Sequence, residues 1–134
     1  AELFDRPKTT FVGYFIGAPA MNFFECQAAG GYKLSIGSAV IMTGTDLSKV
    51  GSAPFKLGIR SEYIRIVEVK GANTFSAYVQ RVEDMGNYKL VTAVFEGHVI
   101  KVKVERDIAV PADSVELQLP AENCCVYAAD VLVS

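Results

Sequence analysis

The residues that could carry out chemistry in this chain are few and widely spaced. The single histidine, His98, lies in the predicted turn Glu96-Gly97-His98, with no serine or cysteine next to it in sequence. Nucleophilic catalysis needs a nucleophile, a base and an orienting group in one place. The acidic pair Glu83-Asp84 is typical of the entry to a turn. The sequence therefore does not predict an enzyme active site.

The three cysteines form neither a metal-binding nor a disulfide pattern. Cys124 and Cys125 are adjacent, and the third, Cys26, is far away in sequence. An odd count argues against a disulfide framework, and zinc normally needs four ligands with spacing such as C-x-x-C. We expect the thiols to be reduced and to pack as small hydrophobic side chains. We predict no metal or cofactor in this chain.

Binding sites for ATP and for nucleic acid are also not indicated. The chain has no G-x-x-x-x-G-K-[ST] loop, and Gly13-x-x-x-Gly17 lies in an aromatic helical pattern with no lysine after it. The formal net charge is −2, and the lysines and arginines form no block. Because phosphate backbones require clustered cations, nucleic acid is not expected as a partner.

Short antiparallel strands dominate the elements that the sequence predicts. Gly30-Gly31 joins two strands in a hairpin, since glycine tolerates the positive φ of such turns. Alternation of apolar and charged residues predicts that Ile100, Val102 and Val104 are buried. The predicted strands are Phe23 to Ala29, Tyr32 to Ile36, Lys56 to Arg60, Thr74 to Asp84, Tyr88 to Phe95, His98 to Glu105, Val115 to Leu119 and Cys124 to Ala128.

The remaining segments read as helix, loop and turn. Helical spacing of apolar residues predicts a short helix from Pro7 to Gly17, which the Gly17 to Pro19 run ends. The region from Gly44 to Pro54 reads as a loop with one helical turn around Asp46 to Val50. The sequence shows no internal repeat. Many short strands with glycine-rich turns favour a small barrel or a sandwich.

Two motifs resemble a known family. The segment FVGYFIGAPAMNFF, residues 11–24, is similar to F-x-x-x-F-I-G-x-P-x-M-N-F, and LGIRSEY, residues 57–63, is similar to a G-I-R-P-E element. Ser61 stands where that element usually has proline, and Tyr63 where histidine is common. Both motifs belong to the C-terminal regulatory (TOBE) region of the ATP-binding subunit of maltose-type and glycerol-3-phosphate-type ABC importers.

The resemblance implies a fold and a role. It selects an OB-like antiparallel barrel, so the expected class is mainly β with a short N-terminal helix. Residues 1–18 would be a linker helix from the end of an ATPase domain, and residues 19–134 the regulatory domain. The role would be non-catalytic regulation and stabilisation of a dimer, with ATP and magnesium bound only by the parent protein.

The resemblance also implies partners and a location. The expected partners are a second copy of the ATPase subunit, the transporter's membrane subunits and a regulatory protein. The location would be cytoplasmic, at the inner face of the cell membrane. We place the candidate interface at Asn22, Arg60, Glu62 and Tyr63, and we expect Arg60 and Glu62 to share one face of a strand.

Two alternatives remain open at this point. In one, the chain is a domain that senses a small solute or oxyanion, as in molybdate-type relatives. Such a site needs backbone amides and hydroxyl or lysine groups that converge in one cleft. The available hydroxyls, Ser35, Ser38, Thr43 and Thr45, are dispersed in sequence. The other is an OB-type nucleic-acid binder stacking bases on Tyr78 and Tyr88, which the net acidity disfavours.

Overall fold

Eleven β-strands and a short α-helix make up most of the secondary structure in the described part of the chain. The structure, a computed structural model, describes residues 5–15, 20–48, 50–51 and 54–133. The elements are α1 (Thr10–Phe15), β1 (Asn22–Ala28), β2 (Lys33–Ile36), β3 (Ala39–Met42), β4 (Phe55–Ile59), β5 (Arg65–Val67), β6 (Thr74–Asp84), β7 (Tyr88–Phe95), β8 (His98–Glu105), β9 (Ser114–Gln118), β10 (Cys125–Ala128) and β11 (Val131–Leu132), with 3₁₀ turns at Ser61–Tyr63 and Ala121–Asn123.

The strands form two antiparallel sheets. The first has the order β11-β10-β4-β1-β2-β3 and the second the order β5-β9-β6-β7-β8. The apolar sides of both sheets share one core, which includes Phe24, Ile41, Leu57, Phe75, Ile100 and Leu117. The predicted class, a mainly β, OB-like antiparallel architecture with a short helix, is confirmed.

Apart from β11, which has no counterpart, the strands of the first sheet correspond to those of the second. In the first, Gln27 pairs with Ser35, Ser35 with Val40, and Leu57 with Phe24. In the second, the corresponding pairs are Tyr78 with Val94, Val94 with Val99, and Leu117 with Phe75. Strands β1 to β4 therefore correspond to β6 to β9 in one consistent register.

The fifth strand of each repeat is exchanged. After β4 and its 3₁₀ turn, β5 pairs with β9, Ile66 opposite Leu117. After β9 and the second 3₁₀ turn, β10 pairs with β4, Val126 opposite Leu57. The sequence shows no internal repeat, whereas the arrangement of paired strands does repeat. Few identities survive at equivalent positions, because each position constrains only burial and backbone geometry, and many residue types meet those constraints.

The equivalent hairpin turns of the two sheets contact each other. Glu96, in the β7–β8 turn, accepts hydrogen bonds from the backbone N–H of Ser38 at 3.1 Å and from its hydroxyl. Gly37 has a positive φ of 54°, and a Cβ there would collide with the Glu96 carboxylate. Glycine at this position lets the two turns approach closely.

The N-terminal helix begins later than predicted. It begins at Thr10 rather than Pro7, and the predicted stop at Gly17 to Pro19 lies outside the described residues. Gly13 is buried against β1, and a Cβ at this position would come within 2.5 Å of the Phe23 ring. Phe11 and Phe15 are 71% and 75% exposed. The helix α1 contacts β1 through Gly13 and through the Tyr14 ring, which lies 4.6 Å from the Phe23 ring.

Most predicted strands are confirmed, including the hairpin at Gly30-Gly31 and the meander from Thr74 to Glu105. Ile100 and Val102 are fully buried, and Val104 is half-buried. Strands β3, β5 and β11 were not predicted. The described part of the Gly44 to Pro54 loop contains no helix, but the Val50 backbone N–H donates to the Leu47 carbonyl at 3.2 Å and closes a single turn. The Leu47 side chain inserts into the core.

Candidate interface around Asn22 and Arg60

Asn22 lies where β8, an edge strand of the second sheet, meets the first sheet. We call this line of contact the Asn22 seam. The Asn22 Nδ2 donates to the Lys101 carbonyl at 2.8 Å, and its Oδ1 accepts the Lys101 backbone N–H at 2.9 Å. Lys101 lies on β8, an edge strand of the second sheet. The carboxamide thus satisfies both edge groups of one residue, as a neighbouring strand would, and it shields part of that edge from other chains.

Arg60 is buried and paired with Glu62. Its side chain is 3% exposed, and its Nε donates to Glu62 Oε2 at 2.9 Å. The other carboxylate oxygen, Glu62 Oε1, is buried and has no hydrogen-bond partner among the described residues. The expectation that both residues share a strand face was wrong, because β4 ends at Ile59 and Ser61–Tyr63 is a 3₁₀ turn.

Tyr63 ties this turn to the N-terminal segment. Its hydroxyl donates to Asp5 Oδ1 at 2.9 Å, and this bond to a carboxylate, together with partial burial, raises the pKa of Tyr63. Ser61 is fully buried. Its hydroxyl accepts a hydrogen bond from Asn22 Nδ2 at 3.3 Å and donates one to the Ala20 carbonyl at 3.3 Å.

The structure thus brings all four predicted interface residues to one end of the seam. Asn22 and Arg60 are buried within the chain itself, whereas Glu62 and Tyr63 are partly exposed. Any partner that docks here would meet Glu62 and Tyr63 first, with Asn22 and Arg60 supporting them from behind. Their part in an interface stays a prediction.

The sequence analysis missed the matching seam at Asn73. Asn73 Oδ1 accepts the Met42 backbone N–H at 2.8 Å, and Asn73 Nδ2 donates to the carbonyls of Met42 and Leu119, each at 2.8 Å. Met42 lies on β3, the edge strand of the first sheet. The sequence pattern that could have revealed this second seam is an asparagine two residues before a core phenylalanine. It occurs at Asn22 with Phe24 and again at Asn73 with Phe75.

The thiols and the histidine form no reactive cluster in the described part of the chain. Burial raises the pKa of Cys26 and of Cys124 to about 12 and also raises that of Cys125, so the thiols stay protonated near neutral pH. The His98 ring lies 5.8 Å from that of Phe24. Among residues 5–15, 20–48, 50–51 and 54–133, no three His, Cys, Asp or Glu side chains are placed to hold a metal ion.

A family model described as TOBE domain matches residues 57–126. That range runs from β4 into β10 and includes both 3₁₀ turns. The chain therefore belongs to the TOBE domain family.

Its relatives include ATP-binding proteins of import systems. The sn-glycerol-3-phosphate import ATP-binding protein UgpC of Chromobacterium violaceum is 32% identical over 128 residues, which cover 87% of this chain and 34% of that protein. The osmoprotective compounds uptake ATP-binding protein GgtA of Synechocystis sp. is 38% identical over 101 residues, 69% of this chain and 28% of that protein. The chain thus spans about a third of the length of these relatives. The resemblance to importer ATP-binding subunits is confirmed.

A solved structure shares the fold. The cytoplasmic molybdate-binding protein ModG, with molybdate bound, matches with a TM-score of 0.65 at 11% identity, covering 80% of this chain and 95% of that chain. Within the described residues, no helix is long and apolar enough to cross a membrane.

Proposed function

We propose that this chain is the C-terminal regulatory domain of the ATP-binding subunit of an ABC importer for sugars, polyols or glycerol phosphate. It is itself non-catalytic and helps to hold two ATPase subunits together. The observation that carries the proposal is the similarity to UgpC, which covers 87% of this chain.

The architecture supports a mechanical rather than a chemical role. Both sheet edges at the seams are bonded to side-chain amides of the opposite sheet, so the two halves support one another. A rigid body of this kind suits a domain that stays associated with its partner while ATPase halves separate and close. In this role, ATP and magnesium bind to the parent protein upstream of these residues.

The partners and location follow from that role. A second copy of the ATPase subunit would meet this domain through the exposed parts of Glu62 and Tyr63, and a regulatory protein could contact the same domain. The membrane subunits would be reached through the parent protein. The whole protein would lie at the cytoplasmic face of the cell membrane.

Two measurements test the proposal. The coding sequence upstream of Ala1 should encode a G-x-x-x-x-G-K-[ST] loop, and its absence there would overturn the assignment. Calorimetric titration of the chain with Mg-ATP should give no saturable heat, because phosphate-cradling groups are not expected within it. Saturable binding at micromolar ATP would contradict the non-catalytic role.

The dimer-stabilising role needs its own test. We expect two copies of this domain to meet through an interface smaller than ~1,200 Å², and interfaces of that size are typically weak and transient. Sedimentation equilibrium of the chain should therefore give a monomer or weak dimer at micromolar concentration. In the whole protein, a Tyr63→Cys variant should cross-link between subunits more efficiently than a Tyr78→Cys variant on β6. Equal cross-linking of the two variants, or stronger cross-linking of Tyr78→Cys, would show that the interface does not lie at Tyr63.

A second candidate function is oxyanion binding, which the fold shared with ModG suggests. The hydroxyl groups that could bind an oxyanion are already engaged in hydrogen bonds within the chain. Ser38 donates to the Glu96 carboxylate, and Thr43 donates to the Tyr32 carbonyl at 2.9 Å. An anion beside Ser38 would be repelled by Glu96. Molybdate titration separates the two functions, since saturable micromolar binding would favour this one.

A further inference from the structure

The two equivalent seams differ in how they are filled. At the Asn22 seam, Met21, Arg60 and Ser61 are almost completely buried. The register equivalence of β4 with β9 places smaller residues at the corresponding points of the Asn73 seam, where Pro120 and Ala121 replace Arg60 and Ser61. A cleft of about 290 Å³ opens there. We call it the Asn73 cleft.

The side chains that fill the Asn22 seam indicate which chemical group fits the Asn73 cleft. Glu122 is the second residue of its 3₁₀ turn, as Glu62 is in the first turn. Glu62 receives the Arg60 guanidinium, whereas Glu122 has a proline at the equivalent position. In the described part of the chain, the Glu122 carboxylate has neither an ion pair nor a hydrogen bond, and it lines the cleft.

An unpaired positive charge lines the same cleft. Arg65, on β5, is exposed and forms no ion pair within the described residues. Its equivalent at the Asn22 seam is the buried Cys125, because Arg65 pairs with Gln118 as Cys125 pairs with Gly58. The cleft wall is also partly apolar, with Met42, Pro120 and Ala121 among its lining residues.

We propose that the Asn73 cleft binds a ligand that carries both a guanidinium and a carboxylate, with the guanidinium on Glu122 and the carboxylate on Arg65. This chemistry belongs to free arginine and to a peptide that ends in arginine. The guanidinium then occupies the place that Arg60 occupies at the Asn22 seam. A planar guanidinium suits a carboxylate because it donates two parallel hydrogen bonds.

The site is independent of the transporter role proposed above, because it depends only on the chain's own duplicated architecture. The charges line an open cleft and are exposed to water, so we expect weak binding, with a Kd of about 1 mM. Such affinity suits a ligand at high cellular concentration or an arginine held nearby by other contacts.

The test is a ¹H–¹⁵N NMR titration of the chain with L-arginine. Shifts should concentrate on the amides of Arg65, Asn73, Ala121 and Glu122. Citrulline, which lacks the positive charge, and agmatine, which lacks the carboxylate, should each bind at least about tenfold more weakly. N-acetyl-arginine separates the sources, since it retains full affinity if a peptide end is the natural ligand and loses it if free arginine is. Either result supports the proposal.

Variants of the chain complete the test. Glu122→Gln should weaken arginine binding at least about tenfold, whereas Glu68→Gln, an exposed glutamate outside the cleft, should leave it unchanged. Pro120→Arg should abolish binding, because it supplies a guanidinium to Glu122 from the chain itself. The proposal is wrong if citrulline binds as tightly as arginine, if Glu122→Gln has no effect, or if no localised shifts appear.

Discussion

The Asn73 side chain forms with the Met42 backbone the pair of hydrogen bonds that a neighbouring β-strand would form. Its carboxamide accepts the Met42 N–H and donates to the Met42 carbonyl, both at 2.8 Å. Asn73 has a positive φ of 60°, a conformation that asparagine tolerates better than most residues. Asn22 forms the same pair of bonds with Lys101 at the other seam. Two side chains thus take the place of two missing strands.

We predict that Asn73→Asp lowers the free energy of unfolding by about 2 kcal/mol or more, because two donated hydrogen bonds are lost and a carboxylate faces two carbonyl oxygens. The loss should shrink in acid, where the introduced carboxyl group protonates and can donate again. Urea unfolding at neutral and acidic pH measures both effects. Asn87→Asp, in the exposed β6–β7 turn, is the control and should change stability by less than about 0.5 kcal/mol. Equal losses at the two positions would mean that the seam bond does not matter.

The two faces of β8 should respond very differently to one substitution. Val102 is fully buried and Val99 is 60% exposed. Val102→Asp should cost about 3 kcal/mol or more, since it buries a charge without a partner, whereas Val99→Asp should cost less than about 1 kcal/mol. Thermal and urea unfolding of the two variants compare them directly. Similar losses would place the strand in a different register.

The contact between the equivalent hairpin turns should give the chain a pH-dependent contribution to stability. Hydrogen bonds from the Ser38 hydroxyl and, secondarily, its backbone N–H lower the pKa of Glu96 from its usual value of 4.5. A lowered folded-state pKa stabilises the fold above the unfolded value, and this contribution is lost as the pH falls through the folded pKa.

Ser38→Ala should therefore raise the pKa of Glu96 and flatten the dependence of Tm on pH in the acid range. Carboxyl-detected NMR titration reads the pKa directly. Ser35→Ala is the matched control, because the Ser35 hydroxyl donates to the Gln27 backbone carbonyl and contacts no carboxylate in the described residues. An unchanged pKa of Glu96 in Ser38→Ala would contradict the contact.

The exchanged strands predict that neither half of the chain folds alone. A cut between Lys70 and Gly71, in the exposed β5–β6 connection, would separate β5 from its partner β9 and β10 from its partner β4. The first half then loses β10 and β11 from its sheet, the second half loses β5, and both expose part of the common core. The halves produced together should copurify with the circular dichroism spectrum of the intact chain. A half that is folded and monomeric by itself would refute the exchange.

The sequence by itself determined the local structure. Alternation in His98 to Glu105 fixed which residues of β8 face the core, because side chains on a strand alternate between its two faces whatever the strand pairs with. The turn at Gly30-Gly31 was likewise readable, since its positive φ angles are a property of two adjacent residues. The aromatic helix pattern and the LGIRSEY segment were specific enough to indicate the family.

Only the tertiary structure decided which strands pair and what the polar residues do. The sequence predicted that Arg60 and Glu62 share a strand face, but Glu62 lies in a 3₁₀ turn and the buried Arg60 side chain is bonded to it. The exchange of β5 with β10 and the bond of Asn73 to Met42 join residues far apart in sequence. Such contacts depend on how two curled sheets close around a common core, which local periodicity does not encode.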